Sequence, residues 1–368
     1  MKKKNLCKTL LKTMCIVLGI LILALLAYIV YLYASYYRIE DNQELVVEAP
    51  VDDTTTGAAA VLATDTEYSA VTYNIGFGAY LPDYSFFMDG GTSSWAESPE
   101  TVQYAINGAG ELVKSLDPDF ALIQEIDLDA TRSYHTDEYE MLRNILPEYT
   151  TVFAQNYDSA FLFYPFTQPH GSSRAGLGLF SKYPVSSALR RSFPISTSFS
   201  KFFDLDRCYS VSRIPVDNAK ELVIFNLHMS AYGNSDEIRK GQIEMLCNDM
   251  AKEYEAGNYV LCGGDFNHDL KASEEDTESC ESWAFPFPRT ELPEHFAFCL
   301  DLLSSEEQAA LWNSARNADM EYVPGVTYTV TLDGFIISDN IECLSYENVN
   351  TGYSYSDHDP VKVEFMLK

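Results

Sequence analysis

Basic side chains are scarce in this chain. Against 54 Asp and Glu stand only 25 Lys and Arg. Six of those bases (Lys2, Lys3, Lys4, Lys8, Lys12 and Arg38) precede the first acid, Glu40, so the remainder carries 19 bases against 54 acids, a net of −35. A surface of that sign repels nucleic-acid phosphates and anionic membranes, which need a basic face for long-range attraction, and leaves room only for a local basic pocket that holds one phosphate. Cysteines at metal-site spacing are also missing. Cys208, Cys247, Cys262, Cys280, Cys299 and Cys343 are scattered with no Cys-x-x-Cys among them, which argues against a zinc site and leaves open whether they pair as disulfides or stay as buried thiols. No internal repeat is present. What the chain has in quantity is apolar and aromatic mass: 46% hydrophobic residues, with 25 Tyr and 21 Phe, which is enough for a sizeable core and excludes general disorder.

The segment Ile16 to Ala34, IVLGILILALLAYIVYLYA, holds no charge and has the length needed to cross a hydrocarbon layer as a helix. Lysines precede it, and Tyr28, Tyr31, Tyr33, Tyr36 and Tyr37 crowd its far end as an interfacial belt does. It reads as an uncleaved signal anchor; a cleaved signal peptide has a shorter apolar run, and a buried core helix leaves the flanking lysines unexplained. The positive-inside rule puts the N-terminus in the cytoplasm and the chain after Arg38 outside. The expected organisation is a basic N-terminus (1–15), a transmembrane anchor (16–37), an acidic, Thr- and Ala-rich stalk with little fixed structure (38–66) and one large domain (67–368).

Within that domain, short runs rich in β-branched and aromatic residues predict strands: YSAVTYNIG, FALIQEID, GLGLFS, ELVIFNLHM, YVLCGGDFN, DGFIIS and VKVEFML. Helices are predicted between them. Ser98 and Pro99 suit an N-cap and first helical position ahead of Val102, Ile106, Ala109, Val113 and Leu116, with Pro118 forbidding continuation. A second helix is predicted from near Asn234, with Ile243, Leu246 and Met250 on one face and a stop at Gly257. Strands alternating with helices imply a layered α/β domain.

Polar residues gather where these apolar runs end: Asn74, Glu125, His228, and then Asp265 and Asn267 in GGDFN. Strand ends display catalytic groups in α/β folds because a buried strand rigidly fixes whatever projects beyond it. Singly, each has an ordinary structural explanation: a turn, a solvated acid, a satisfied core histidine. The two glycines of GGDFN suggest close backbone approach to a ligand, or a turn. Near the C-terminus, SDHDPV sets His358 between Asp357 and Asp359; flanking carboxylates raise an imidazole's pKa and fix its tautomer.

In order along the chain, TYNI, IQEID, NLHMSAY, GGDFN, LDGFIIS and SDHDPV resemble the motifs of the endonuclease/exonuclease/phosphatase superfamily of metal-dependent phosphoesterases, and SRAGLGLFSKYPV is similar to a further segment of it. The resemblance spans Tyr68 to the end. It implies a DNase I-like, four-layer α/β/β/α sandwich. It also implies that Glu125 holds a divalent metal, with Asn74 beside it as ligand or hydrogen-bond partner and Asp357 on the metal side. Asp265 and Asn267 would contact the scissile phosphate and the attacking water. His358, oriented by Asp333, would serve as general base or phosphate partner, and His228 would contact or protonate the phosphoryl group.

The chemistry of phosphate esters agrees with this cast. A phosphodiester anion repels nucleophiles, so a hard cation must neutralise its oxygens. Mg²⁺, with Mn²⁺ as substitute, takes a few carboxylate and amide oxygens and keeps waters. An arginine binds two phosphate oxygens at once; Arg174, Arg207 and Arg213 are candidates between the motifs, and Asn156 and Tyr157 fall where related enzymes place a substrate contact. The segment from His268 to Phe296, with Trp283 and Phe285, is expected to form a rim loop.

The expected function is therefore a membrane-anchored, extracytoplasmic, Mg²⁺-dependent phosphoesterase, with a small molecule or lipid headgroup favoured as substrate. A nuclease of the same superfamily with a local basic groove is the alternative enzyme, disfavoured by the charge. A non-catalytic binding ectodomain is the alternative class, disfavoured because Asn74, Glu125, His228, Asp265, Asn267, Asp333 and His358 are all present.

Overall fold

The computed structural model describes residues 2–52, 61–230, 236–273 and 284–368. They fall into two compact units, Met1–Arg38 and Ile39–Lys368. The first is one helix, α1 (Lys2–Ser35). Its stretch Asn5–Ser35 is the one helix among the described residues long and apolar enough to cross a membrane.

The second unit begins with two very short strands, β1 (Gln43–Glu44) and β2 (Val47–Glu48). Both come from the segment expected to lack fixed structure. β1 pairs with Leu189 and Arg190, and β2 with Thr151 and Val152, so this stretch closes an edge of each large sheet. An edge strand docks through backbone hydrogen bonds and needs no apolar pattern of its own, which is why composition concealed it. Residues 53–60, within the same expected stalk, lie outside the described residues.

There follow β3 (Glu67–Asn74), α2 (Pro99–Leu116), β4 (Phe120–Ala130), α3 (Glu138–Ile145), β5 (Thr150–Asp158), β6 (Ser173–Ser181), β7 (Ser187–Ser192), β8 (Cys208–Pro215), β9 (Glu221–His228), α4 (Asp236–Glu255) and β10 (Tyr259–Asp265). The chain ends through β11 (Phe296–Phe298), α5 (Ser305–Ala310), β12 (Ala315–Arg316), β13 (Thr329–Val330), β14 (Asp333–Ser338), β15 (Ile341–Asn348) and β16 (Val361–Leu367). All seven strands expected from the sequence are among these. Helix α2 starts as expected, with Ser98 Oγ accepting from Thr101 N at 3.1 Å and Pro99 in first position. Helix α4 stops ahead of Gly257, whose φ is +83°; the start expected near Asn234 lies outside the described residues.

Two seven-stranded sheets face each other, one in the order β1-β7-β8-β9-β10-β14-β11, the other β15-β16-β3-β4-β6-β5-β2. Leu122, Ile224, Leu261, Phe335 and Val363 fill the space between them, and Ile243, Leu246 and Met250 of α4 join the same core. On the outer face of the second sheet, Val102, Ile106 and Val113 of α2 and Leu142 of α3 cover Tyr73, Ile123 and Phe180. The result is a four-layer α/β/β/α sandwich, stabilised by the removal of these side chains from water. The strands that sequence reading missed are polar for identifiable reasons. In β7 the fully buried Arg190 is paid for by its acceptors, the carbonyls of Gln155 (2.6 Å), Asp206 (2.8 Å) and Glu40 (3.2 Å).

The glycines of GGDFN do not make way for a ligand. A Cβ on Gly263 would lie 2.5 Å from the Phe335 ring, and one on Gly264 would lie 2.0 Å from the carbonyl oxygen of Leu227 on the neighbouring strand. Gly264 also sits at φ +146°, where a side chain is strained. They exist so that β10 can run close against its neighbours in the centre of the sheet. Gly264→Ala is expected to lower stability by roughly 3 kcal/mol, read as a fall in the urea midpoint at constant slope.

Candidate active site

Strand register assembles the site. On adjacent strands, His228 at the end of β9 lies opposite Asp265 of β10, and Asp265 lies opposite Asp333 of β14. From the facing sheet, Asn74 ends β3 beside Gln124 of β4, one residue before Glu125. The β4–β6 register shifts between Ile123 and Ile126, and within that bulge Glu125 takes φ +56°. Bulges re-aim side chains, and left-handed backbone at a non-glycine residue costs energy that surrounding structure must hold in place. Asn267 sits at φ +50°, a conformation that asparagine tolerates better than most residues.

Hydrogen bonds tie these ends together. Asn74 Nδ2 donates to Glu125 Oε1 (3.0 Å) and to Asp265 Oδ2 (3.1 Å), while its Oδ1 accepts from Gly76 N (3.0 Å). Asn74 thus bonds both carboxylates through its amide nitrogen, and its Oδ1 keeps a second lone pair. Asn267 donates its backbone N–H to Asp265 Oδ1 (2.8 Å) and its amide to the carbonyl of Met229 (2.9 Å). Nε2 of His228 is 3.5 Å from Asp265 Oδ2, and Nε2 of His358 is 3.9 Å from the same atom.

The SDHDPV loop supplies the rest. Asp333 Oδ2 is 2.7 Å from Nδ1 of His358 and accepts from Ser314 Oγ at 2.7 Å. Asp359, by contrast, is consumed in holding the loop: its Oδ2 accepts from Trp312 Nε1 (2.8 Å) and from the backbone N–H groups of Thr351 (3.2 Å) and Tyr353 (3.3 Å). The histidine between two aspartates thus has one neighbour that faces the cavity, Asp357, and one that anchors the turn.

Glu125, His228, Asp265, Asn267, Asp357 and His358 line a cavity of about 430 Å³ together with Asp89, Arg132, Asn156, Tyr157, Arg207 and Arg316, and Asn74 and Asp333 stand behind that lining. Several buried polar atoms there lack a protein partner: both amide atoms of Asn156, Nε and Nη1 of Arg207, Nδ1 of His228 and Oδ1 of Asp333. Buried donors and acceptors are costly to leave unpaired, so a cluster of them on a cavity marks where a polar ligand fits. Asn156, Tyr157 and Arg207 are therefore at the site. Arg174 is not: it is half exposed and paired with Asp129 at 3.1 Å. Nor is Arg213, whose guanidinium is held by Glu221 and Glu253 away from the cavity. Both are strand residues whose outward face sequence could not assign. Trp283 lies outside the described residues, and the Phe285 ring stacks under the Arg239 guanidinium, 4.3 Å away, without lining the cavity.

Sequence reading missed Asp89, Arg132 and Arg316. Arg132 is fully enclosed, forked onto Asp127 (Nη2–Oδ1 2.8 Å, Nε–Oδ2 3.1 Å) and stacked 3.7 Å over Phe77. None of the three closes an apolar run in the sequence, so nothing in local sequence distinguishes them from surface charges.

Electrostatics divides the site in two. Burial pushes Asp89 and Asp265 up to about 7, with neighbouring carboxylates adding to the shift, and burial also raises Asp357. Burial pulls His228 well below the usual histidine range, with Arg207 and His358 adding to it, so it is neutral. Burial acts against the charged form of His358 too, but Asp333, Asp357 and Asp265 outweigh it and hold the ring well above its ordinary value, as an imidazolium. Carboxylates that raise a neighbour's pKa in a cavity lack countercharge, as Glu125 does beside Asp89 and Asp357, and with Asp265 these four acids line the cavity as an oxygen-rich set. That donor set fits a hard divalent cation. Asp265, Asp333 and His358 also bring their ligating atoms within 4.8 Å of one another, but Asp333 and His358 are engaged with each other, so the set around Glu125 and Asp357 is the better cradle.

A two-sheet α/β sandwich with acids, amides and a carboxylate-paired histidine converging at its strand ends is the architecture of a phosphoesterase class. The Endonuclease/Exonuclease/phosphatase family matches residues 71–302, and the chain belongs to that family. Solved structures with the same fold include an endonuclease/exonuclease/phosphatase from Beutenbergia cavernae (16% identity, 82% of this chain and 72% of that one, TM-score 0.54). D. rerio TDP2 complexed with a single-strand DNA product also matches (13%, 82% and 99%, TM-score 0.54). So does ANGEL2, a 2',3'-cyclic phosphatase, in complex with adenosine-2',3'-vanadate (11%, 82% and 96%, TM-score 0.55). No curated protein matches the chain.

Proposed function

We propose that the chain is a membrane-anchored, extracytoplasmic phosphoesterase that uses Mg²⁺ or Mn²⁺ to hydrolyse a phosphodiester or phosphomonoester of a small molecule or lipid headgroup. The observation that carries this reading is the convergence of Glu125, His228, Asp265, Asn267, Asp357 and His358 on one cavity that also holds the unpartnered Asn156 and Arg207, with Asn74 and Asp333 bonded to that lining from behind.

Glu125 and Asp357 would hold the cation, with Asn74 fixing Glu125 by its hydrogen bond. When bound, the cation neutralises phosphate oxygens and eases deprotonation of water. The remaining steps belong to the chain's own side chains. Arg207 and the amide of Asn156 satisfy their free donors on phosphate oxygens, and the His358 imidazolium, locked by Asp333, faces the same charge. Asp265, raised toward neutrality and steadied by Asn74 and Asn267, accepts the proton of the attacking water. Neutral His228 contacts the phosphoryl group beside it. Arg207 and Asn156 offer free donors inside the cavity while the chain after Arg38 carries a net of −35, which favours a small phosphoester over a duplex backbone.

Hydrolysis of a bis-aryl phosphodiester tests this. Activity is expected to vanish in EDTA and return with Mg²⁺ or Mn²⁺; undiminished turnover in chelator overturns the metal-dependent reading. In the same assay Arg207→Ala is expected to raise KM by roughly tenfold, the worth of a lost charge-assisted hydrogen bond, whereas Arg174→Ala leaves KM unchanged. Equal effects of the two would remove Arg207 from the site.

A further inference from the structure

The mouth of the cavity carries exposed aromatic rings that the chemistry above does not use. The segment FLFYPF, Phe161 to Phe166, contains no charge; within it Tyr164 is 62% and Phe166 86% exposed. Phe199 and Phe203 remain 48% and 39% exposed, and Met88 56%. These side chains are continuous with the site. Phe166 packs edge-on to Tyr164 (5.8 Å between centroids), Tyr164 tilts against Phe87 (5.8 Å), and Phe87 contacts His170 (6.0 Å), a lining residue. Phe199 contacts Phe203 (5.6 Å), which lines the cavity with Met88.

Soluble surfaces scatter large apolar side chains singly; exposed clusters of them that lead by contact into one cavity mark an interaction surface. Two observations select the occupant. Only residues 36–38 separate the end of the apolar helix at Ser35 from the unit that begins at Ile39, a tether of roughly 10 Å at full extension, so a helix seated in a bilayer keeps this body at the lipid surface. The net of −35 after Arg38 opposes anionic lipid, so docking must come from burial of aromatic and apolar groups in the interfacial layer and not from charge.

We infer that Met88, Tyr164, Phe166, Phe199 and Phe203 form a membrane-docking rim that seats the cavity mouth on a zwitterionic bilayer. The inference rests on the membrane-anchored reading of the chain, and for its catalytic meaning on the phosphoesterase reading of the cavity. Interfacial helices and loops bury aromatic rings at headgroup depth in this way, and a mouth so placed receives phosphoesters presented by the lipid surface.

The test uses the full-length chain reconstituted in phosphatidylcholine vesicles, with Phe166→Trp as probe and Leu344→Trp, on the edge strand β15 and 42% exposed, as control. Fluorescence of the added indole, taken as the difference from the unsubstituted chain, is compared in vesicles with and without bromine-labelled phosphatidylcholine. The probe at position 166 is expected to lose about half its signal or more, as a ring at headgroup depth does, and the one at position 344 none. Absence of quenching at 166, including the case in which a soluble protein covers the rim, overturns the inference, as does equal quenching at both positions. Hydrolysis of the water-soluble bis-aryl diester by the Phe166→Trp chain at the parental rate shows that the fold is intact. A parent chain that does not hydrolyse it defeats the catalytic reading, while the quenching still decides the docking.

Discussion

His358→Ala is expected to lower kcat for phosphodiester hydrolysis by roughly 10²–10⁴-fold, and Asp333→Asn to fall nearly as far. The two residues act as a unit: Asp333 Oδ2 lies 2.7 Å from Nδ1 of His358, and Ser314 Oγ holds that same oxygen at 2.7 Å. The carboxylate fixes the ring's orientation and keeps it charged against the cost of burial. Because one device is removed by either change, the double variant should lose little more than the worse single one. Asp333→Asn carries a further signature. Without the carboxylate the imidazolium is lost at lower pH, so the falling limb of the pH–rate profile moves to lower pH, a change that a merely structural residue would not produce. Multiplicative losses with an unmoved profile would break the assignment of Asp333 as the residue that positions His358.

The second large effect concerns stability. Without a bound cation, burial pushes Asp89 and Asp265 up from the ordinary carboxylate value to about 7. A carboxylate raised in the folded state contributes stability that is complete below the unfolded value and is lost as pH rises toward the folded one, here between about 4 and 7. Cation-free protein is therefore weakened by these groups at pH 8, where they are ionised together with Asp357. Millimolar Mg²⁺ is expected to raise Tm by roughly 5 °C or more at pH 8, and by much less at pH 5.5, where protons already occupy Asp89 and Asp265. Asp357→Asn should raise the cation-free Tm at pH 8, because one buried charge is gone, while abolishing both the Mg²⁺ response and turnover. A Mg²⁺ shift that is the same at both pH values, or that survives in Asp357→Asn, would move the cation away from this wall. At acid pH the sign reverses for His170, which burial pulls down to about 3. Its stabilising neutral form is present above 6.5 and its contribution is lost as pH falls from there toward 3.

Much of the candidate site was legible because it sits at the ends of apolar runs. Asn74, His228, Asp265 and Asp333 terminate or open strands whose Val, Ile, Leu and Phe content predicts them, and strand ends are where buried backbone gives way to projecting polar groups. The helix from Pro99 was legible for the same local reason, a serine cap followed by proline. Where a residue's meaning depended on a neighbour distant in sequence, local reading failed. Arg190 conceals a strand because its charge is satisfied by three backbone carbonyls from other segments. Gly263 and Gly264 resemble a ligand loop, but they make room for Phe335 and for Leu227 of an adjacent strand. Arg174 and Arg207 are alike as letters; one pairs with Asp129 in solvent and the other is enclosed with two nitrogens unpartnered.

Read by itself, the order of residues determined the apolar N-terminal helix, the α/β class, most of the central strands and the family, because each depends on hydrophobic period, caps and short motifs that are local in the chain. Only the tertiary structure decided which charges share a cavity. Asp357 faces the acids while Asp359 pins its own turn, and Asp89, Arg132 and Arg316 join a site their flanking residues do not announce. Coulomb energy and desolvation depend on distances through space between residues far apart along the chain, and strand register sets those distances.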